Sequence, residues 1–315
     1  MGACRLPDLP ARGHKTRVPN ASAQTLFDRP LARARLARAL RESANHPGAD
    51  FLLERAGGEL AERLALVKRD FRMGLDLGTP GPQAARAMRA GGVSFVARLA
   101  PIAAAIGSGD FAALVADEER LPIGEARCDL IVSLLALHGV NDLPGALVQA
   151  RRALAPDGLL LACVMGGDSL SELRQSLTIG ESEIRGGASP RVAPFADVRA
   201  LGGLLQRAGF ALPVVDLDRA IVRYPDMIAL MRDLRAMGAA NALNERSRNP
   251  LRRDVLTRAG QVYAERFADP DGRLRATFDM VWLSGWAPHE SQPKPLKPGS
   301  ARMRLEDALK GAGGR

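Results

Sequence analysis

Two apolar runs separated by an amphipathic segment dominate the middle of the chain. The first run covers residues 129–135 and the second covers residues 159–164. Between them lie a stretch with apolar residues at helical spacing and a Pro-Asp-Gly turn at 156–158. Near-continuous apolar runs are typical of strands buried on both faces, and a helical crossover joins parallel strands. The pattern therefore predicts a β-α-β unit within a parallel sheet.

Further elements are predicted on both sides of this unit. In chain order they are helices at residues 31–40 and 50–68, a strand at 74–78, a helix at 82–90, strands at 93–97 and 111–115, helices at 169–184 and 195–208, a strand at 212–223, helices at 225–242 and 251–267, and a strand at 275–282. Together with the two central strands, the predicted sheet has seven strands. We therefore predict an α/β fold whose functional site lies at the carboxyl ends of the parallel strands.

The chain length favours one large domain over two small ones. Residues 1–24 are basic and rich in Pro, Arg and Ser, which predicts a disordered extension or a targeting segment. Residues 25–292 are expected to form the domain, with a helical insert at about 225–267 before the last strand. Residues 293–315 read as a proline-rich tail.

Composition narrows the classes of partner. The formal charge is +9, yet the arginines are scattered and aromatic residues make up only 4%, so we expect no nucleic-acid partner. No apolar run approaches the roughly 20 residues of a membrane span, which predicts a soluble protein. The three cysteines form no CxxC pair and the four histidines no H-x-D/E pattern, so no metal site is predicted.

Asp76 ends the first predicted strand and runs into a turn containing Gly78 and Gly81. Such a turn lets a nucleotide cofactor approach the backbone, although an ordinary strand-to-helix turn also fits. Pro80 and Pro82 remove two amide donors from it.

Two further positions are candidate cofactor ligands. An acid that accepts hydrogen bonds from a ribose is expected after the second strand, but Arg98 stands there. Arg98 would suit a phosphate or carboxylate, or would be a solvated surface residue. Asp117 and Glu118 follow the third strand, where they either accept from an adenine or a cationic substrate or are simply solvated.

Four residues are candidate catalytic groups. His138 follows the fourth strand and is either in the site or packed beside it. Asp168 follows the fifth strand within Gly-Gly-Asp-Ser, which is a close-approach loop or a plain turn. His289 and Glu290 follow the last strand as a proton-transfer pair or a surface turn. His138 and His289 meet only if the strand ends that carry them are neighbours.

Short motifs along the chain resemble a known family. It is that of the class I S-adenosylmethionine methyltransferase-like proteins and, within them, the arginine-hydroxylase assembly factors of respiratory complex I with their proteobacterial relatives. The resemblance covers about residues 26–303, and its motifs are Phe27-Asp28-Arg29, Leu75-Asp76-Leu77-Gly78, Ala116-Asp117-Glu118-Glu119 with Leu121-Pro122, Leu137-His138 with Val140-Asn141-Asp142-Leu143-Pro144, Pro156-Asp157-Gly158, Gly166-Gly167-Asp168, Glu172-Leu173-Arg174, Gly186-Gly187 with Ser189-Pro190, Gly209-Phe210 and His289-Glu290-Ser291-Gln292.

This resemblance implies a Rossmann-like class I methyltransferase fold with a seven-stranded, mostly parallel sheet, and S-adenosylmethionine as the family's cofactor. It also implies hydroxylation of an arginine in the iron–sulfur subunit beside the quinone site, early in complex I assembly. The expected location is the bacterial cytoplasm, or the mitochondrial matrix of a eukaryote, with peripheral contact to the inner membrane. The family's fuller glycine motif and its acid after the second strand are the points at which this chain departs.

A guanidinium substrate would suit an acidic pocket, and we predict one from Asp117, Glu118, Asp168 and Glu290 at one edge of the sheet. Two other functions remain open. One is an S-adenosylmethionine-dependent methyltransferase acting on a small molecule or a carrier-linked acid. The other is a catalytically inactive assembly chaperone that docks through the insert at 225–267.

Overall fold

The structure, a computed structural model, describes residues 25–107 and 111–293. The predicted extension at 1–24 and residues 294–315 of the predicted tail lie outside the described residues. The helices of the described part are α1 Arg29–Glu42, α2 Phe51–Leu66, α3 Gln83–Ala90, α4 Ala103–Ile106, α5 Leu143–Ala153, α6 Ser171–Arg185, α7 Val198–Arg207, α8 Met227–Ala236 and α9 Arg253–Phe267. The strands are β1 Met73–Leu77, β2 Phe95–Ala100, β3 Ala112–Val115, β4 Cys128–Leu134, β5 Leu154–Met165, β6 Ala211–Tyr224 and β7 Leu274–Trp286.

The seven strands form one sheet in the order β3-β2-β1-β4-β5-β7-β6. The strands β1 to β5 pair in parallel, whereas β7 runs antiparallel to both of its neighbours. This confirms the predicted seven-stranded, mostly parallel sheet, and α8 and α9 form the insertion before the last strand. Because Trp286 pairs with Leu159, the carboxyl end of β7 lies at the edge where the parallel strands begin.

Alternate residues of β4 pack against opposite helical layers. Leu130, Val132 and Leu134 are fully buried in a cluster that also contains residues of α2, α3 and α6. Ile131 lies in a second cluster with residues of α5 and α7. Burying each such side chain stabilises the fold by about 1.5–3 kcal/mol. The two-sided burial explains why this strand is a continuous apolar run.

Several element boundaries differ from the prediction, and those of β2 and β5 matter most for the site. The second strand begins at Phe95, two residues later than predicted, and continues to Ala100. Arg98 therefore lies inside β2, directly opposite Asp76 on β1, rather than beyond the strand. β5 begins at Leu154 and includes the predicted turn, with a register shift opposite Cys128 and Leu130. The four-residue helix α4 was too short to leave a periodic signal.

The segment before α1 is fastened to distant parts of the chain. Phe27 N donates to Asn141 Oδ1 at 2.7 Å, and Asn141 Nδ2 donates back to Phe27 O at 3.1 Å. Phe27 also forms an isolated bridge with Leu243, and the Asn244 side chain donates to Thr25 O at 2.6 Å. These contacts hold α1 across the carboxyl edge of the sheet.

The inserted helix α9 packs closely on α6. A Cβ atom at Gly180 would lie 2.8 Å from the backbone nitrogen of Ala259, so only glycine allows this approach. Val255, Val262 and Tyr263 of α9 are buried. None of the helices in residues 25–107 and 111–293 is long and apolar enough to cross a membrane.

Candidate functional site

The turn after β1 is the first part of the candidate site. Gly78 has a φ of +80°, a conformation that glycine adopts without strain, and its N–H donates to Leu99 O at 2.7 Å. The Thr79 hydroxyl accepts from Leu134 N at 3.1 Å, which holds the turn against β4. Pro80 and Pro82 have no N–H to offer. The turn therefore presents few free amide donors to a ligand.

Arg98 fills the space beside this turn. Its side chain is only 3% exposed, and its Nε lies 2.9 Å from Asp76 Oδ2. Its Nη1 donates to Ile106 O at 2.8 Å. Its Nη2 donates to Thr79 O at 3.3 Å and Gly81 O at 2.5 Å. The alternative of a solvated surface arginine is wrong, because register pairing draws Arg98 into the interior. Its donors are directed at the protein itself.

Asp76 is the buried partner of Arg98 in this ion pair. The residue is 1% exposed, and burial raises the pKa of its carboxyl to about 6, while hydrogen bonds from Thr79 and Arg98 act in the opposite direction. At neutral pH the carboxylate is therefore ionised and neutralised by Arg98.

Asp117 and Glu118 are paired with two arginines of α1. Arg29 Nη2 lies 2.8 Å from Asp117 Oδ1 and 2.5 Å from Glu118 Oε2, and Arg33 Nη2 lies 2.5 Å from Asp117 Oδ2. Glu118 is 4% exposed, and a Cβ atom at Gly78 would be 2.9 Å from its Oε1. Glu118 therefore covers the glycine that a cofactor would have to approach.

These contacts test whether S-adenosylmethionine fits the turn. A cofactor at this place needs free amides, an open surface over the first glycine and an acid free to accept hydrogen bonds. Here prolines replace two of the amides, Glu118 covers Gly78, and Asp76 is bound to Arg98. The residues present do not fit the cofactor in this arrangement.

His138 lies in a short helical turn directly after β4. Its Nδ1 accepts a long hydrogen bond from Met165 N at 3.5 Å, and its ring meets Phe195 edge to face at 5.9 Å. Burial lowers the pKa of His138 to about 4, so the imidazole is neutral at pH 7. A base with so low a pKa takes up protons poorly near neutral pH, so His138 acts here as a neutral ring.

Asp168 lies at the same edge, on the loop after β5. It accepts from Arg219 Nη2 at 2.7 Å, and its side chain is 69% exposed. Arg219 also binds the buried Asp279, with its Nε 2.6 Å from Asp279 Oδ1. The loop itself is tight, because a Cβ atom at Gly166 would lie 2.4 Å from Val281 Cγ2. Asp168 is thus held in place while most of its carboxylate meets solvent.

His289 and Glu290 lie at the opposite edge of the sheet. Gln292 Nε2 donates to Asp157 Oδ1 at 2.9 Å and to Ala287 O at 2.8 Å, which fixes this segment beside the turn where β5 begins. The expectation that Glu290 shares a cleft with Asp117, Glu118 and Asp168 is wrong, because β7 is antiparallel. For the same reason, His138 and His289 do not meet.

A cavity of about 1260 Å³ opens between α1, α8, the segment 239–251 and the end of β5. His138 and Met165 line it on the side of the sheet. Its charged lining consists of one carboxylate, Asp50, and several arginines, which are Arg35, Arg191, Arg235, Arg246 and Arg248. The predicted acidic pocket is therefore not what the structure contains, because its carboxylates are paired with arginines or lie elsewhere.

Glu181 on α6 supports one of these arginines. Its carboxylate accepts from Arg191 Nη2 at 2.6 Å and from Ser189 N at 3.0 Å. The Arg191 hydrogen bond is the main cause that lowers the pKa of Glu181 to about 2, together with the bonds from Ser189 and against the effect of burial. A carboxylate with a lowered pKa stabilises the fold above its unfolded value of 4.5 and loses that contribution as pH falls towards 2.

Replacing Glu181 with glutamine is expected to lower the free energy of unfolding at pH 7 by about 3 kcal/mol, since each pKa unit corresponds to about 1.4 kcal/mol. The difference from wild type should shrink between pH 4.5 and pH 2.5. Urea unfolding across that range measures it. Glu183→Gln on the exposed face of the same helix is the control and should change little. A pH-independent difference would contradict the assignment.

No group of three His, Cys, Asp or Glu side chains within the described ranges is close enough to share a metal ion. Two arginines of the site were not predicted as site residues from the sequence. Arg29 and Arg219 each bind candidate carboxylates, but their partners are 88 and 51 residues away in the chain. Only the Phe27-Asp28-Arg29 motif gave a signal for Arg29.

Comparisons with known proteins agree with this geometry. Residues 49–213 match the model of a methyltransferase domain. The chain is 38% identical over 295 residues to the arginine-hydroxylase NDUFAF5, mitochondrial, of Danio rerio, with 90% of each chain covered. It is 41% identical over 283 residues to the protein of that name from Homo sapiens, covering 88% of this chain and 81% of the other.

Other relatives share only part of the chain or only the fold. Malonyl-[acyl-carrier protein] O-methyltransferase of Laribacter hongkongensis is 37% identical over 188 residues, which is 60% of this chain and 61% of that protein. Among solved structures, the YcgJ protein from Bacillus subtilis superimposes with a TM-score of 0.51 at 13% identity, covering 74% of this chain and 99% of the other. The latter likeness concerns the fold alone.

Proposed function

This chain belongs to the methyltransferase-domain family, and from that premise we propose that it is a protein-arginine hydroxylase and not a methyl-transferring enzyme. The observation that carries the proposal is its 38–41% identity to proteins named arginine-hydroxylase over most of both chains. The match to the O-methyltransferase is shorter, at 60% of this chain. A likeness over nearly the whole length includes α8 and α9, which the methyltransferase-domain match at 49–213 does not reach.

S-adenosylmethionine has no place in the proposed activity. The buried pair of Arg98 and Asp76 supports this, because the guanidinium occupies the acid that a nucleoside would bind and the carbonyls of the turn. Glu118 adds to it by covering Gly78. A ligand at this turn would have to displace the buried Arg98–Asp76 pair or the Glu118 side chain that Arg29 holds, and breaking a buried pair costs about 3–5 kcal/mol.

The proposed substrate is an arginine side chain of the iron–sulfur subunit beside the quinone site of complex I. We place the protein at the inner membrane as a peripheral factor, in the bacterial cytoplasm or the mitochondrial matrix. The support is the likeness to proteins named arginine-hydroxylase, mitochondrial, over most of both chains. The motifs Phe27-Asp28-Arg29, Asp117-Glu118-Glu119 and Asn141-Asp142, on which the resemblance rests, meet in one network of hydrogen bonds.

Asp168 and His138 are the residues proposed to meet the substrate. The exposed carboxylate of Asp168 can receive a guanidinium through two parallel hydrogen bonds. His138 follows β4 at the same edge, and its neutral ring can pack against the apolar part of the arginine side chain. Glu290 and His289 lie at the far edge, in the segment that Gln292 holds against Asp157, and in this proposal they do not contact the substrate.

Deleting the gene tests the function directly. The quinone-site subunit, purified from the deletion strain and digested, should lack the 16-dalton increase of a hydroxylated arginine by mass spectrometry, because one oxygen atom is no longer inserted. A plasmid copy of the wild-type gene should restore it. An unchanged level of the modified peptide in the deletion strain would refute the proposal.

Methyl transfer to an acid is the second candidate function. The arginines that line the cavity favour it, since guanidinium groups bind carboxylates well. The filled turn after β1 opposes it, and we expect no saturable heat of binding when S-adenosylhomocysteine is titrated into the protein. The Laribacter O-methyltransferase serves as the positive control in the same calorimeter. Micromolar saturable binding would restore this candidate.

A further inference from the structure

The arginines of the cavity form a compact basic group at one end. Arg246 is bound to Asp28, with Nη2 3.0 Å from Asp28 Oδ2, and Arg35 Nη1 donates to Asn241 O. Arg235 and Arg248 are exposed and make no side-chain hydrogen bond or ion pair with the described residues. Arg191 is paired with Glu181 and is not counted in this group. Among Arg35, Arg235, Arg246 and Arg248, the described residues show one ion pair, that of Arg246 with Asp28, so most of the charge of these four is not neutralised.

Arg35 shows that the positive charges of this group lie close to one another. Burial lowers the pKa of its guanidinium, and the nearby charges of Arg246, Arg38 and Arg235 lower it further. Like charges that are held together at the mouth of an apolar cavity attract an anion, because the low-dielectric walls weaken the screening. The basic group is thus suited to a carboxylate or phosphate.

The rest of the cavity wall is apolar. It is formed mainly by side chains of α1, α2, α6 and α8, among them Leu31, Leu36, Leu52, Leu173, Leu177 and Met231. An extended peptide in such a cavity would bury backbone N–H and C=O groups without partners. A hydrocarbon chain has no such groups, so the wall favours an aliphatic occupant.

The chain's own terminal segments do not complement this site. Residues 1–24 carry Arg5, Arg12, Lys15 and Arg17 against Asp8. Residues 294–315 also contain more basic than acidic residues. Both would bring positive charge to a positive group. The occupant is therefore expected to come from outside the chain.

We propose that this cavity binds an anionic amphiphile, a carboxylate or phosphate group on an aliphatic chain, with its head at Arg35, Arg235 and Arg248. The aliphatic chain lies against α1, α2 and α6. This ligand is distinct from the guanidinium substrate, whose charge the basic group repels. A cavity of about 1260 Å³ exceeds the roughly 300–1,000 Å³ of common ligand pockets, which leaves room for a long chain.

Calorimetric titration of the full-length protein tests the head and the chain separately. Dodecanoate and dodecyl phosphate, kept below their micelle concentrations, should bind at one site. Dodecanol and dodecyltrimethylammonium carry the same chain without the negative charge and should bind at least tenfold more weakly. Inorganic phosphate alone should bind more weakly still. Equal binding of dodecanol, or no binding of either acid, would overturn the proposal, as would phosphate alone binding as tightly as dodecyl phosphate.

Variants of the exposed arginines locate the head. Arg235→Gln and Arg248→Gln should each weaken dodecanoate binding about five- to tenfold, because each removes one charge-assisted contact. Arg232→Gln on the same helix is the matched control, since Arg232 is exposed and does not line the cavity. Unchanged binding in the double variant would overturn the placement of the head.

A glutamate-rich peptide distinguishes a protein partner from an amphiphile. It should fail to displace dodecanoate, and displacement at micromolar concentration would assign the cavity to an acidic segment instead. These titrations contain no complex I subunit. If the amphiphile does not bind, the proposed arginine hydroxylation is not contradicted. Loss of the modification in the deletion strain likewise does not depend on this ligand.

Discussion

Replacing Arg98 with alanine is expected to lower the free energy of unfolding by about 3–5 kcal/mol, one of the largest effects a single substitution can have in this protein. The substitution leaves the Asp76 carboxylate buried, at 1% exposure, without its positive partner. It also removes the donors to Thr79 O, Gly81 O and Ile106 O. Urea unfolding followed by circular dichroism measures the change.

Two further variants show whether the unpaired charge is responsible. Asp76→Asn combined with Arg98→Met removes both charges and should be clearly more stable than Arg98→Ala alone. Arg252→Ala breaks an exposed ion pair with Asp254 and should cost several-fold less than Arg98→Ala. A loss below about 1 kcal/mol in Arg98→Ala would show that the pair is not a determinant of the fold.

Replacing Asp168 with alanine is expected to reduce arginine modification of the partner subunit by about 100-fold, because a charge-assisted contact to the substrate is lost. The fold should persist, since Arg219 keeps the buried Asp279 as its partner and Asp168 is largely exposed. The measurement is the fraction of modified peptide in a deletion strain that carries the variant gene, with protein abundance checked by immunoblot.

Glu290→Ala is the matched control for that experiment. It removes the same charge from an exposed loop that lies at the opposite edge of the sheet. We expect it to retain modification. If the Asp168→Ala protein, at equal abundance, gives the wild-type level of modified peptide, the proposed role of Asp168 is rejected. If both variants lose the modification, the substrate reaches both edges of the sheet.

The strands and most helices were predictable because their signals are local. The continuous apolar runs of β4 and β5 reflect burial on two faces, which any sequence window through them reveals. The start of α5 has a local signal of the same kind, since Asp142 precedes Leu-Pro and its side chain accepts from Gly145 N at 2.8 Å. In contrast, α4 covers a single turn and leaves no period to detect.

The charges of the site were not predictable, because they depend on strand register and on distant partners. β2 continues to Ala100 instead of ending at residue 97, which places Arg98 inside the strand opposite Asp76 and makes a candidate ligand residue a buried partner. The direction of β7 decides the place of Glu290, and sequence alone does not fix whether a last strand runs parallel or antiparallel. Arginines of α1 neutralise the carboxylates after β3 across more than 80 residues.

Because α1 is held by segments far along the chain, the cavity is completed late during synthesis on the ribosome. Residues 25–35 contact residues near 117, 141 and 241–246, so the cavity has no complete wall until about 250 residues have left the exit tunnel. Contacts of such long sequence separation form late and slowly. During that interval the apolar lining faces water, which makes the nascent chain prone to aggregation.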